Sequence, residues 1–137
     1  MIWTRAGLDD AARSGWPYID LLHVAAGLAR RRERALFIGC GGAVGPRQFA
    51  VSYPGIEIDV VESEDHVIEL AKSFFGLDGI PRLTVHHAEG ASFLEGALLL
   101  RSGHPLILET RCLDEALLPH EVDFLQRYAL VAQDRVR

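Results

Sequence analysis

Arg34-Ala-Leu-Phe-Ile-Gly-Cys-Gly-Gly-Ala-Val-Gly45, read together with the carboxylate of Glu62, decides the fold of this 137-residue chain. An apolar run, Ala35–Ile38, stops on a cluster of glycines, and a helical stretch follows. A second apolar run, Ile58-Asp-Val-Val-Glu62, then ends on an acid. This is the layout of a nucleotide-binding strand–turn–helix–strand unit. Glycines let the chain turn tightly and bring its backbone close to a ligand, and an acid about 20 residues further on can accept hydrogen bonds from both ribose hydroxyls. A nicotinamide dinucleotide fits the pattern less well. With Gly39 and Gly41 as the first pair, the third glycine of that fingerprint falls due at position 44, which is Val44.

Outward from this unit, strand and helix patterns alternate. Pro17 suits the first turn of a helix, and Tyr18, Leu21, Leu22, Ala25 and Leu28 recur at the spacing of its buried face. That helix ends in the basic run over 30–34. Pro46–Tyr53 predicts a helix with Phe49 and Ala50 inward, and Pro54-Gly55 a turn. Glu57–Glu62 is the second strand. Ser63, or an adjacent acid, is placed to cap the next helix, whose apolar face is Val67, Ile68, Ala71, Phe74 and Phe75. Gly76–Pro81 reads as a loop, Leu83–His87 as a strand and Glu89-Gly90 as a turn. Phe93, Leu94, Ala97 and Leu98 continue as a helix that Gly103 closes, and Pro105–Glu109 is the fourth strand. Val122, Leu125, Ala129 and Ala132 carry a last helix; alternatively Tyr128–Ala132 is a fifth strand, and periodicity leaves both open. Alternation of this kind gives parallel βαβ units, so the expected fold is α/β, a Rossmann-like parallel sheet with helices on both faces. Ligands on such sheets sit beyond the carboxyl ends of the strands. Gly39–Gly42, Glu62, Glu89-Gly90 and Glu109-Thr110 all fall there.

Composition narrows the function. A chain of this length is a single domain, and with 49% apolar residues it can hold a core. A net charge of −5 argues against a nucleic-acid footprint, and the arginines at 30–34 suit a helix end. Cys40 and Cys112 are the only cysteines, which points to a reducing compartment. Met1–Asp10 shows no signal-peptide pattern, and no apolar run approaches the ~20 residues of a membrane span. The chain therefore reads as cytoplasmic, with no membrane partner. The histidines form no metal-ligand motif, so no metal site is expected. There is no Gly-x-Ser-x-Gly elbow and no Gly-Lys-Ser/Thr of a P-loop. Cys40 reads as a small buried side chain rather than a nucleophile.

Four stretches carry a family resemblance: Leu36-Phe-Ile-Gly-Cys-Gly-Gly-Ala-Val-Gly-Pro-Arg47, Ile58-Asp-Val-Val-Glu62, Val67-Ile-Glu-Leu-Ala-Lys-Ser-Phe-Phe75 and Ala88-Glu-Gly-Ala-Ser-Phe-Leu94. Over about residues 17–125 the chain resembles the spermidine synthase-like branch of the class I S-adenosylmethionine (SAM) dependent transferases. The resemblance implies that the loop of Gly39, Gly41 and Gly42 holds the methionyl part of SAM. It implies that Glu62, with Ser63 beside it, takes the ribose, and that Glu89-Gly90 takes the adenine amino group. The family usually has Asp where Glu89 stands. The Asp with which its aminopropyltransferases engage the substrate amine is replaced by Gly42, which disfavours polyamine synthesis. Glu109 is the nearest equivalent of the family's fourth-strand base.

The family's sheet has more strands than the four or five read here, and its N-terminal β-hairpin domain is missing. The expectation is thus a truncated class I methyltransferase fold, a single SAM-binding domain over 1–137, with a leader and helix to residue 33 and βα units from residue 34. Its function would be methyl or alkyl transfer to a small-molecule acceptor, or SAM-assisted cyclisation. The alternative is a catalytically silent homologue serving as a subunit of a larger transferase, and a third reading is a regulatory nucleotide-binding domain. A short sheet leaves an unpaired edge, so a homo- or hetero-oligomer is expected.

Overall fold

The structure, a computed structural model, describes residues 17–29, 31–99 and 106–109. Its centre is a sheet of β1 (Arg34–Ile38), β2 (Glu57–Glu62), β3 (Leu83–His87) and β4 (Leu106–Glu109). The strands pair in parallel in the order β3-β2-β1-β4. Parallel neighbours need crossovers, and helices supply them. α2 (Val44–Ser52) links β1 to β2, α3 (Asp65–Phe75) with a 3-10 turn at Leu77–Gly79 links β2 to β3, and α4 (Gly90–Leu99) precedes β4. α1 (Pro17–Leu28) comes before β1. The chain steps outward from β1 to β3 and then returns to place β4 on the other side of β1.

Alternate residues of each strand feed two cores. On one face Ala35, Phe37, Ile58 and Val60 pack with Ala26 of α1, Phe49 of α2 and Ile68 and Ala71 of α3. On the other, Leu36, Ile38 and Val61 pack with Leu94 of α4. Helices therefore cover both faces. A strand covered on both sides has no solvent-facing register, which is why β1 and β2 read as nearly unbroken apolar runs.

Asp59 interrupts that run and is buried all the same, at 8% exposed. It shares its face with Val61. Arg34 donates to its Oδ2 from Nη2 at 3.1 Å, and His86 bonds its Oδ1 through Nε2 at 2.7 Å. Arg34 also meets Glu57 at 3.3 Å, and Arg82 donates to Glu57 at 2.9 Å. A charge can be taken out of water when it is paired and hydrogen-bonded. The amino-terminal half of this face is consequently ionic, whereas the half nearer the strands' carboxyl ends is apolar.

The structure refines several sequence expectations. α1 turns Ile19, Leu22 and Ala26 inward, and leaves Leu21 and Leu28 exposed at 65% and 82%. Its contact with α2 sets that face: Gln48 donates to Asp20 at 2.8 Å, His23 meets the Tyr53 hydroxyl at 2.9 Å, and the His23 ring stacks on Phe49 at 4.6 Å. Where apolar residues run around a helix, periodicity does not choose the inward side. α2 begins at Val44, before Pro46. The first-turn N–H groups have no intrahelical acceptor, so proline is tolerated anywhere in that turn. Phe74 of α3 is 76% exposed, and the cap position of that helix falls on the adjacent acid, Glu64, rather than Ser63, with no side-chain cap bond. The Gly76–Pro81 loop contains the 3-10 turn, which buries Leu77. The expected leader, Gly103, and the last helix or fifth strand lie outside the described residues.

Candidate functional site

The carboxyl ends of β1, β2 and β3 lie side by side, and the loops leaving them form the candidate site. After Ile38 the backbone alternates in hand: Gly39, Gly41 and Ala43 take φ of 92°, 49° and 53°. Such values favour glycine, because a Cβ crowds the following carbonyl. A Cβ built on Gly41 would meet nothing within 4 Å, so the crest of the turn faces open space. The turn is closed by the Ala43 N–H donating to the Cys40 carbonyl at 2.8 Å, and anchored by Gly39 N–H donating to the Val61 carbonyl at 2.8 Å. Gly42 is buried beneath it.

Glu62 ends β2 and reaches across to this turn. Its Oε2 accepts the Cys40 N–H at 2.9 Å, and its Oε1 accepts the Glu64 N–H at 3.0 Å. The Ser63 hydroxyl lies at 3.4 Å from Oε1. The carboxylate is half-buried and held at both oxygens: Oε1 accepts from both Glu64 and Ser63, whereas Oε2 accepts once and retains a second lone pair. The sequence pairing of glycine turn and acid is thus realised in space. Cys40 is buried behind it; burial first, and the neighbouring Glu62 charge second, push its thiol up to about 12. That agrees with its reading as a small buried side chain.

Glu89 follows β3 and receives the N–H groups of Ala91 at 3.1 Å and Ser92 at 2.8 Å. Its carboxylate caps the start of α4, where the helix dipole favours an acid. Gly90 packs tightly there, since a Cβ on it would fall 2.7 Å from Ile38 Cγ2. Glu109 ends β4 in register with Ile38, one residue before the glycine turn. Sequence reading missed His87. It closes β3 opposite Glu62 and donates from Nε2 to the Ser63 carbonyl at 3.0 Å. Only the strand register reveals that pairing. Among the described residues no group of side chains is arranged to hold a metal ion, and no helix is long and apolar enough to cross a membrane.

No family model matches this sequence, and no curated protein matches it. Solved structures do resemble it. A probable spermidine synthase of Corynebacterium glutamicum superposes with a TM-score of 0.67 at 18% identity, over 86% of this chain and 44% of that one. Human methyltransferase-like protein 13, in complex with SAH, gives 0.63 at 19% identity, over 80% of this chain and 58% of that one. A spermidine synthase in complex with the transition-state analogue AdoDATO gives 0.52 at 24% identity, over 58% of this chain and 29% of that one. The chain thus spans less than two thirds of each neighbour's length. At such identities the likeness is one of fold. The chain has the Rossmann-like α/β fold found in spermidine synthases and class I SAM methyltransferases, in keeping with the resemblance read from its motifs.

Proposed function

We propose that this chain binds SAM, or its sulfur-containing product, at the carboxyl ends of β1 to β3, and works as a transferase of the spermidine synthase-like class within an oligomer in the cytoplasm. The observation that carries the reading is the Glu62 carboxylate, oriented by the glycine turn's own Cys40 N–H, with a lone pair open on Oε2 and, on Oε1, only the long 3.4 Å bond from the rotatable Ser63 hydroxyl for a ribose hydroxyl to replace. The residues present fit the group: the crest at Gly41 is open, and the positive-φ turn lets backbone approach a ligand closely. Glu62 with Ser63 would take the ribose, Gly39, Gly41 and Gly42 the methionyl part, and Glu89-Gly90 the adenine edge. Bound SAM supplies an electrophilic sulfonium. The chain's own contribution is to hold the reacting groups in line and keep water out, which lowers a barrier by proximity and orientation. Glu109, whose backbone pairs in register with Ile38 just before the glycine turn, would take a proton from an amine nucleophile.

Calorimetric titration with SAM and S-adenosylhomocysteine tests this. Wild type is expected to bind, and Glu62→Ala to weaken binding by at least about tenfold, the worth of a charge-assisted hydrogen bond or more. No binding of either ligand by wild type would remove the cofactor reading, and equal affinities in the two proteins would remove Glu62 from the site. A second reading, a catalytically silent subunit of a larger transferase, is favoured by one observation. Leu21, Val24 and Leu28 stand on one side of α1, exposed at 65%, 57% and 82%.

A further inference from the structure

We propose that His87 is a positioning residue for Glu62: it fixes the Ser63–Glu64 peptide group, and through it the carboxylate that receives the ribose. Its functional half rests on the cofactor reading above. β3 ends with His87 opposite Glu62 in the parallel register. The Nε2 of His87 lies 3.0 Å from the Ser63 carbonyl oxygen. A carbonyl can only accept, so Nε2 carries the hydrogen and the neutral ring is the Nε2–H tautomer. The N–H of that same peptide group, the one belonging to Glu64, donates to Glu62 Oε1 at 3.0 Å. A peptide group is planar and rigid, so turning its carbonyl turns its N–H as well. One unit is therefore gripped by two side chains, His87 at one end and Glu62 at the other. Glu62 continues the series through Oε2 to the Cys40 N–H at 2.9 Å. A run of bonds joins the end of β3 to the glycine turn, and His87 is its outermost link.

Neighbouring bonds show why the side chain is needed. The Ala88 N–H donates to the Glu62 carbonyl at 2.9 Å and ties β3 to β2 just before the turn. Beyond that point the ladder stops, and the Ser63 carbonyl is reached by a side chain instead. His87 itself is exposed. Its removal takes away a strut without opening the core, so fold and positioning separate experimentally.

The test uses the full chain and two readouts. Backbone amide exchange is compared in wild type, His87→Ala and His87→Gln, with the Ala71 amide in α3 as internal reference. His87→Ala is expected to speed exchange at Glu64 and Cys40 about two- to tenfold, the range of one net hydrogen bond, and to leave Ala71 unchanged. His87→Gln, which keeps an N–H donor at similar reach, is expected to restore most of the protection. Unchanged exchange at Glu64 and Cys40 in His87→Ala would overturn the proposal. Calorimetry with S-adenosylhomocysteine then reads the functional half. His87→Ala is expected to weaken binding about two- to tenfold alone, and to add nothing on a Glu62→Gln background, as coupled residues do. The same loss in both backgrounds would show that His87 acts independently of Glu62. If wild type binds no adenosyl ligand, the cofactor reading fails, and the strut is judged by the exchange data.

Discussion

Cys40 shows at the level of a single residue how the glycine turn constrains its neighbours. The unfolded thiol has an ordinary value of 9.0, and burial beside Glu62 raises it to about 12 in the fold. Its contribution to stability is fully present below pH 9. It is lost between pH 9 and 12, where the unfolded chain ionises and the folded one does not. The loss is at most about 1.4 kcal/mol per pH unit. Urea midpoints of wild type are therefore expected to fall relative to Cys40→Ala as pH rises above 9, and parallel profiles would refute the assignment. Gly90 offers a steric counterpart. Replacement by alanine sets a Cβ 2.7 Å from Ile38 Cγ2, a methyl close to the backbone that cannot swing aside. Gly90→Ala is expected to cost about 1–3 kcal/mol in urea denaturation. An unchanged midpoint would mean that the start of α4 shifts freely.

At the level of elements, β2 was legible to the residue, because Glu57–Glu62 is bounded by a Pro-Gly turn and ends on its acid. The meeting of the glycine turn with Glu62 was legible for the same reason: it follows from spacing along the chain. α1 was not, since its polar contacts Asp20–Gln48 and His23–Tyr53, which choose its inward face, depend on where α2 lies. Nor were Asp59 with His86, or Glu62 with His87. Those meetings follow from strand register, which places Val61 beside His86 and Glu62 beside His87, and a sequence alone does not print register. The Arg34–Asp59–His86 bonds join three strands, so Asp59 matters more than its place in an apolar run suggests. Asp59→Ala leaves Arg34 and His86 facing each other without their carboxylate. Both are about one-third exposed, which lowers the usual cost of breaking a buried pair to about 2 kcal/mol. Denaturant titration measures it, and a change below about 0.5 kcal/mol, the scale of an ordinary surface substitution, would show that the ionic group is incidental.

For the whole molecule, the exposed row on α1 and the outer edge of β3 are the surfaces that bear on association. Light scattering on the full chain at high concentration is expected to give a dimer or a larger species, and a clean monomer would count against both the oligomer and the subunit reading. The strand order has a kinetic consequence too. Pairing Arg34 with Glu57 closes a short stretch, whereas pairing Ala35 with Leu106 closes about three times as much chain, at an entropic cost about 1 kcal/mol higher. The β1–β2–β3 unit is therefore the natural nucleus, and β4 the late arrival that docks along a finished edge. The glycine turn belongs to the early unit, while Glu109 comes only with β4. A chain caught partway through its assembly would already own the corner proposed to bind ribose and still lack the acid proposed to move a proton.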